Sequence, residues 1–472
     1  MIFNSTSFLF LFLPVTLLAF YFFGVLKKYQ LSVYSLIIFS CIFYSLSAGK
    51  IIYIIFFSLI GTYFFAYQIL NSKNYSKFFL WAGIFFNILI LAYFKYTNFL
   101  ISNANFLFNI KIESIKILFP IGLSFITFQQ IIFLINIYEK LIDRLILSDY
   151  LFYITFFPKI ISGPVVEYKE ITKQIKNPNL FNLNKANILT GCFLFLIGMT
   201  KKVVFADNLS LWVNAGFASN NLNFIEAWLI ALSFTLQVYF DFSGYCDMAI
   251  GTALLFNIGL PINFYSPFKA TSIIQFWQRW HMTLTKFLTT YVFTAFLRTR
   301  SNINLLWVSS ATIFTMLVSG FWHGASWLFV SFGLLHGFAI VANRIWISYG
   351  FKIPSFFGWL FTFVFVIFTN VLFRAENWQT AKKIYSAMIS FPQAFESYKI
   401  FSTISGKIFP SSNTLLILTF LSLVCIFAKN SYEIISNLKS FSIFKVVLLL
   451  LMIYSMFFLG NWDKNSYVYF SF

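Results

Sequence analysis

The chain has 472 residues, of which 60% are hydrophobic and 10% charged, with a mean hydropathy of +0.81. Soluble domains carry about a quarter of their residues as charges, so this composition excludes an ordinary water-soluble protein. The net charge of +19 sits in short connectors (Lys27-Lys28, Lys73 with Lys77, Lys169 through Lys185, Arg298 with Arg300), which the positive-inside rule accounts for without nucleic acid.

Apolar runs near the roughly 20 residues that span a bilayer core recur from end to end. They fall near 8–26, 31–48, 51–70, 78–101, 117–138, 186–206, 224–241, 246–260, 304–320, 326–346, 355–373, 413–428 and 443–460. The fold class is therefore an all-α polytopic integral membrane protein, with about eleven to thirteen hydrophobic helices. Residues 8–26 lack a basic n-region and precede further spans, so they read as a first helix and not as a removable signal peptide. Placing the basic connectors inside puts the amino terminus outside. The stretch 207–224, without Lys or Arg, then reads as an outer loop.

The segment 150–163 is too short to span and is broken by Pro158 and Gly163, so a re-entrant element surrounded by protein is expected. Residues 164–187 are amphipathic and basic and suit the inner membrane surface. Between 261 and 303, aromatics mix with Lys269, Arg279, His281, Lys286, Arg298 and Arg300. That reads as helices at the inner face, their cations near lipid headgroups; the same surface can hold the phosphates of a nucleotide-type donor. Cys41, Cys192, Cys246 and Cys425 show no CxxC spacing and read as small buried hydrophobes, with neither a disulfide framework nor a metal site.

Histidine is nearly absent: His281, His323 and His336 are all there is. An ionisable side chain inside a membrane is a functional candidate by default, and imidazole exchanges protons near neutral pH. On one straight helix the thirteen-residue spacing of His323 and His336 would aim the rings at nearly opposite sides, about 220° apart. Either the helix breaks, at Gly324, Ser326 or Gly333, with Trp322 and Trp327 lining the pocket, or the two rings serve different surfaces. GxSxG, P-loop, HExxH and GxGxxG motifs are missing, which removes the hydrolase, ATPase, zincin and Rossmann readings. Asp241 and Asp247 suit either an ion relay in a secondary transporter or the holding of neighbouring helices; no matching inverted half supports the transporter. The ending NSYVYFSF (465–472) suits an interfacial aromatic anchor, or a fold-back that brings Tyr467 or Tyr469 near a histidine.

The motifs FLFLFLP (8–14), SFITFQQIIFLINIY (124–138), FPKIISGPVVEY (157–168), KKVVFADNL (201–209), VYFDFSGYCDMAIG (238–251), FWQRWHMTLTKFL (276–288) and SGFWHGASWLFVSFGLLHG (319–337) give the chain a resemblance to the membrane-bound O-acyltransferases. The branch it resembles acts in alginate and peptidoglycan O-acetylation. The resemblance implies one membrane-embedded domain over 1–472, with core motifs in 120–346 and terminal helices and aromatic segment in 355–472. It also implies re-entrant elements around a central funnel, in the cytoplasmic (inner) membrane. No bound cofactor is implied; acetyl-CoA would be the donor substrate and the acetyl group would reach an extracytoplasmic polysaccharide, most of all peptidoglycan, through a separate SGNH-type acetyltransferase. Alginate or another exopolysaccharide, or D-alanyl transfer to teichoic acid, are the alternatives. By resemblance His323 is the essential histidine, His336 the second motif histidine and Tyr469 a covalent acyl relay. Asp241, Arg279, His281, Trp322 and Trp327 would line the substrate or donor site. Gln278 stands where the family has a second arginine.

Overall fold

The computed structural model describes residues 1–72, 74–298, 300–390, 413–436, 450, 452–457, 460 and 467. Among the described residues all regular structure is helical. Among the described residues, nine helices are long and apolar enough to cross a membrane. Large apolar side chains such as Phe10, Phe57, Ile60, Phe106 and Phe361 lie exposed on these helices, as lipid-facing surfaces require.

The first helices are α1 (Leu13–Val25, entered through the π-turn Phe8–Phe12), α2 (Tyr29–Ala48), α3 (Ile52–Asn71), α4 (Ser76–Phe108) and α5 (Leu123–Tyr138). Then come α6 (Leu147–Thr155), α7 (Phe157–Ile160) and α8 (Tyr168–Ile175). Next, α9 (Lys185–Thr200), a π-helical stretch (Lys201–Ala206) and α10 (Asp207–Ala218) form one 34-residue rod, followed by the 32-residue α11 (Phe224–Leu255). Short helices α12 (Ile273–Arg279), α13 (Met282–Leu288) and α14 (Thr294–Arg298) precede α15 (Leu305–His323), α16 (Trp327–Ser348), α17 (Ser355–Arg374) and α18 (Trp378–Ile389). The last are α19 (Asn413–Phe427) and α20 (Ser431–Ser436).

Two boundaries differ from the hydropathy reading. The expected outer loop at 207–224 is mostly helix, since α10 continues the rod to Ala218 and leaves only 219–223 as connector. The expected pair 224–241 and 246–260 is one helix, α11. The polar dip that suggested a break, Asp241 to Asp247, is buried, so its side chains meet protein and the helix has no cause to end. Most of the apolar run 443–460 lies outside the described residues.

The chain folds as two units. The first comprises Met1–Phe195 and Tyr245–Pro261. Its core is a phenylalanine cluster in which Phe8, Phe12 and Phe43 pack on Phe157. Polar bonds tie its helices: Ser58 donates to Gln130 at 2.8 Å, and the Asn87 amide donates to Thr62 at 2.9 Å. Such pairs replace the hydrophobic drive that lipid does not supply. The re-entrant expectation for 150–163 fits α6 and α7, two short helices broken at Phe156 and almost wholly buried. Within α7, the buried Lys159 is bonded to Gln129 beneath the Tyr153 ring, so its ammonium meets protein and not lipid.

The second unit comprises Leu196–Gly244 and Ile262–Phe472. At its centre α15 and α16 form a tight hairpin with α17 against α16. A methyl group added to Gly320 would lie 3.0 Å from the Gly333 Cα, so only glycines allow the two backbones to cross this closely. Asn304 caps α15 by accepting the Trp307 N–H at 3.0 Å.

Candidate active site

The helix break falls at Gly324–Ser326. α15 ends at His323, Gly324 and Ser326 are extended, and α16 starts at Trp327. Gly324 is packed under the Phe329 ring, which leaves no room for a side chain. Because the chain reverses here, the end of α15 and the middle of α16 face one another. His323 and His336 therefore line one cavity, with Trp277, Trp280, Phe332 and Asn370 among its walls. The cavity holds about 20 Å³, room for one water molecule.

The two imidazoles have different settings. The Trp277 indole N–H donates to His336 Nδ1 at 3.2 Å, so that nitrogen carries no proton. The proton sits on Nε2, which lies 3.0 Å from the Thr369 hydroxyl and donates to it; Thr369 in turn donates to the Phe365 carbonyl at 3.0 Å. Both nitrogens of a neutral ring are thus engaged, and His336 fixes Trp277. His323 is buried at the last residue of α15, its ring edge-on to Trp322 and Phe373, with centroids 4.9 and 5.0 Å away.

Trp277 also walls a larger cavity of about 250 Å³. Its other lining residues include Gln278, Thr285, Thr312, Met316 and Arg344. The Arg344 guanidinium donates to Thr312 at 3.3 Å. This mostly apolar pocket, with a cation at one place on its wall, touches the histidine cavity through a single indole.

Other expected site residues lie elsewhere. His281 adopts a left-handed backbone (φ 46°), and its Nδ1 lies 3.1 Å from Asn263 Oδ1. That oxygen also accepts the Thr283 N–H at 3.2 Å, so the His281 nitrogen is a donor and the residue staples α13 to the preceding loop. Burial pushes the His281 imidazole down to about 3. Arg279, half-buried at the end of α12, gives its carbonyl to the Tyr265 N–H at 2.9 Å; neither cavity is lined by it. Trp322 is buried beside His323 and His281. Trp327 is 55% exposed and does not line the histidine cavity, because as the first residue of α16 it points outward from the turn. Tyr469 lies outside the described residues.

Asp241 is committed to an ion pair. Lys202 Nζ lies 2.8 Å from Asp241 and 2.8 Å from Asp207, with all three side chains buried. The same ammonium sits 4.4 Å from the centroid of the Tyr467 ring. Lys202 and Asp207 stand five residues apart within KKVVFADNL, but Asp241 lies 39 positions from Lys202, so the triad as a whole has no local signal. Trp277 stands in the FWQRWHMTLTKFL motif without a role assigned to it there, and Thr369 and Arg344 have no sequence signal; as an indole, a hydroxyl and a helix-end cation they look ordinary until the fold brings them to the cavities.

The chain matches the family model described as membrane-bound O-acyltransferase over residues 123–375. It is 37% identical over 422 residues to the peptidoglycan O-acetyltransferase of Helicobacter pylori, covering 82% of this chain and 80% of that protein. It is 34% identical over 408 residues to the probable alginate O-acetylase AlgI of Pseudomonas aeruginosa, covering 83% and 75%. Against the teichoic acid D-alanyltransferase of Streptococcus thermophilus identity is 28% over 237 residues, 48% of this chain and 57% of the relative. With the histidine hairpin inside the matched span, this chain belongs to the membrane-bound O-acyltransferase family and is a polytopic acyltransferase.

Proposed function

We propose that the protein transfers acetyl from cytoplasmic acetyl-CoA across the cytoplasmic membrane for O-acetylation of peptidoglycan. The helix-breaking turn that sets His323 in a shared cavity, one indole away from a larger apolar pocket, carries this reading. The pocket suits the slender arm of a thioester, and Arg344 offers a cation to the phosphates at its far end. About 16 Å of helix axis separate Thr312 from His323, at 1.5 Å per residue.

His323 acts as general base. It takes the proton from a hydroxyl, either the Tyr469 phenol or an acceptor alcohol. The oxygen forms a bond to the thioester carbonyl carbon, the C–S bond breaks, and the leaving thiolate recovers the proton from the imidazolium. Such proton transfer contributes about 10²–10⁴-fold, and the free carbonyls at the end of α15 favour positive charge as it develops on the ring. With Tyr469 as relay, the acetyl ester is carried to a separate extracytoplasmic transferase of SGNH type. His336 positions Trp277 and does not share the chemistry.

Peptidoglycan is preferred over alginate because the peptidoglycan relative matches with higher identity over a similar share of the chain. The test is muropeptide analysis of a strain lacking the gene. Loss of O-acetyl muropeptides, restored by wild-type protein but not by His323→Ala, is expected. Unchanged muropeptides with a deacetylated exopolysaccharide, or with teichoic acid lacking D-alanine, would defeat the reading.

A further inference from the structure

The cavity that joins the two histidines is small for a place where an acyl group has to sit. It has room for one water molecule, about 20 Å³, against about 250 Å³ for the pocket on the other side of Trp277. Its walls have no slack. Phe373, in the last turn of α17, lies 5.0 Å from the His323 ring and 5.2 Å from Phe332, centroid to centroid. Phe332, one turn before His336 on α16, lies 4.4 Å from that imidazole and 6.4 Å from His323. Both rings are buried. Trp277 is pinned by its bond to His336 Nδ1 at 3.2 Å, and the Asn370 amide donates to Thr235 at 3.1 Å. Each of these walls packs on another ring or is hydrogen-bonded, so none turns aside without leaving a void or an unpaired donor.

We propose that Phe332 and Phe373 set the length of the acyl group this enzyme transfers, and that the limit is acetyl. The proposal rests on the reading of His323 as the base and of the larger pocket as the seat of the thioester arm. In that arrangement the sulfur lies toward Trp277, and the carbonyl carbon lies within reach of the oxygen that His323 activates. The acyl chain continues away from the sulfur, into the space that Phe332 and Phe373 close. A methyl group is about as large as the water molecule the cavity accommodates. Each further methylene asks for as much room again, in a place where the rings leave none. A D-alanyl group, with a methyl and an ammonium on the carbon next to the carbonyl, asks for more still. Acyl length is thus decided at the base, while the larger pocket holds whatever arm carries the acyl group.

A donor series tests this. Purified protein in proteoliposomes is given acetyl-, propionyl- and butyryl-CoA, and the release of thiol is followed. The wild type favours acetyl over propionyl about 10–200-fold in kcat/KM, with butyryl lower again. Phe332→Leu and Phe373→Leu each shorten one wall and lower the acetyl-to-propionyl ratio about tenfold. Phe368→Leu keeps the wild-type ratio, because Phe368 stands on the same helix as Phe373 but stacks on Tyr385 at 4.4 Å and does not line the cavity. The ratio is read on one protein sample, so a variant that folds in reduced amount still reports it. The proposal is overturned if the wild type uses propionyl-CoA within about twofold of acetyl-CoA, or if both leucine variants keep the wild-type ratio. Failure of the donor reading looks different: a wild type inert toward all the CoA thioesters but active with the corresponding pantetheine thioesters. The order of rates among the pantetheine thioesters then still decides the size limit.

Discussion

Three imidazoles in one chain have three different fates, and each predicts a different mutant. On the proposed mechanism His323→Ala removes the general base, so transfer falls about 10²–10⁴-fold in proteoliposomes; wild-type transfer by this variant would take His323 out of the chemistry. His336→Ala leaves the Trp277 indole N–H unpaired in a buried site, at a cost of about 1–3 kcal/mol. Its melting temperature and activity fall together, and a normal melting temperature with abolished activity would return His336 to the chemistry. His281 is held neutral, its folded-state pKa pushed by burial from 6.5 to about 3. The unfolded chain therefore binds a proton more readily between about pH 6.5 and pH 3, and stability rises with pH across that window. Thermal melts should show stability lost as pH falls below about 6.5, with a shallower loss in His281→Asn. Equal slopes in the two proteins would assign the acid sensitivity to other groups.

At the scale of elements, the sequence and the structure part company where charge lies inside a helix. Hydropathy ends a span at 206, a few residues after Lys201 and Lys202, and reads Asp241 to Asp247 as a gap between two spans. In the structure both stretches are mid-helix, because Lys202 pairs with both Asp207 and Asp241 within the protein and its cation does not have to leave for the headgroups. A pairing between residues 39 positions apart has no local signature, so no window along the sequence can find it. The histidine hairpin was partly legible for the opposite reason: Gly324 and Ser326 are local breakers, so a turn between the histidines was one of the two readings that the thirteen-residue spacing left open. Gly320 and Gly333 gave less warning, since their value lies in a backbone crossing visible only in three dimensions. The crossing is testable. Gly333→Val places two methyl groups where the Gly320 backbone passes, an overpacking that costs about 1–3 kcal/mol or more. It should lower thermal stability and separate His323 from His336, with activity lost beyond what the stability change explains. Wild-type activity in Gly333→Val would mean that the hairpin need not close this tightly.

For the molecule as a whole, the distribution of charge makes a statement about direction that no single site can make. The connector carrying Arg298 and Arg300 enters α15, and Arg344, near the end of α16, lines the large pocket at the same open end of the hairpin. By the positive-inside rule this end faces the cytoplasm, which puts the cation of the pocket on the side where acetyl-CoA is made. His323 lies at the opposite end of α15, further from that face than the pocket. On the proposed function, an acyl group drawn from the cytoplasm then moves along the hairpin toward the outer side before His323 acts on its acceptor. Sealed vesicles of defined orientation test this. Inside-out vesicles given labelled acetyl-CoA should accumulate acetyl ester on the protein, and pass it on when the extracytoplasmic transferase and its polymer are enclosed. Right-side-out vesicles should stay unlabelled until a detergent admits the donor. Labelling of intact right-side-out vesicles would reverse the assigned topology, and with it the roles of the two ends of the hairpin.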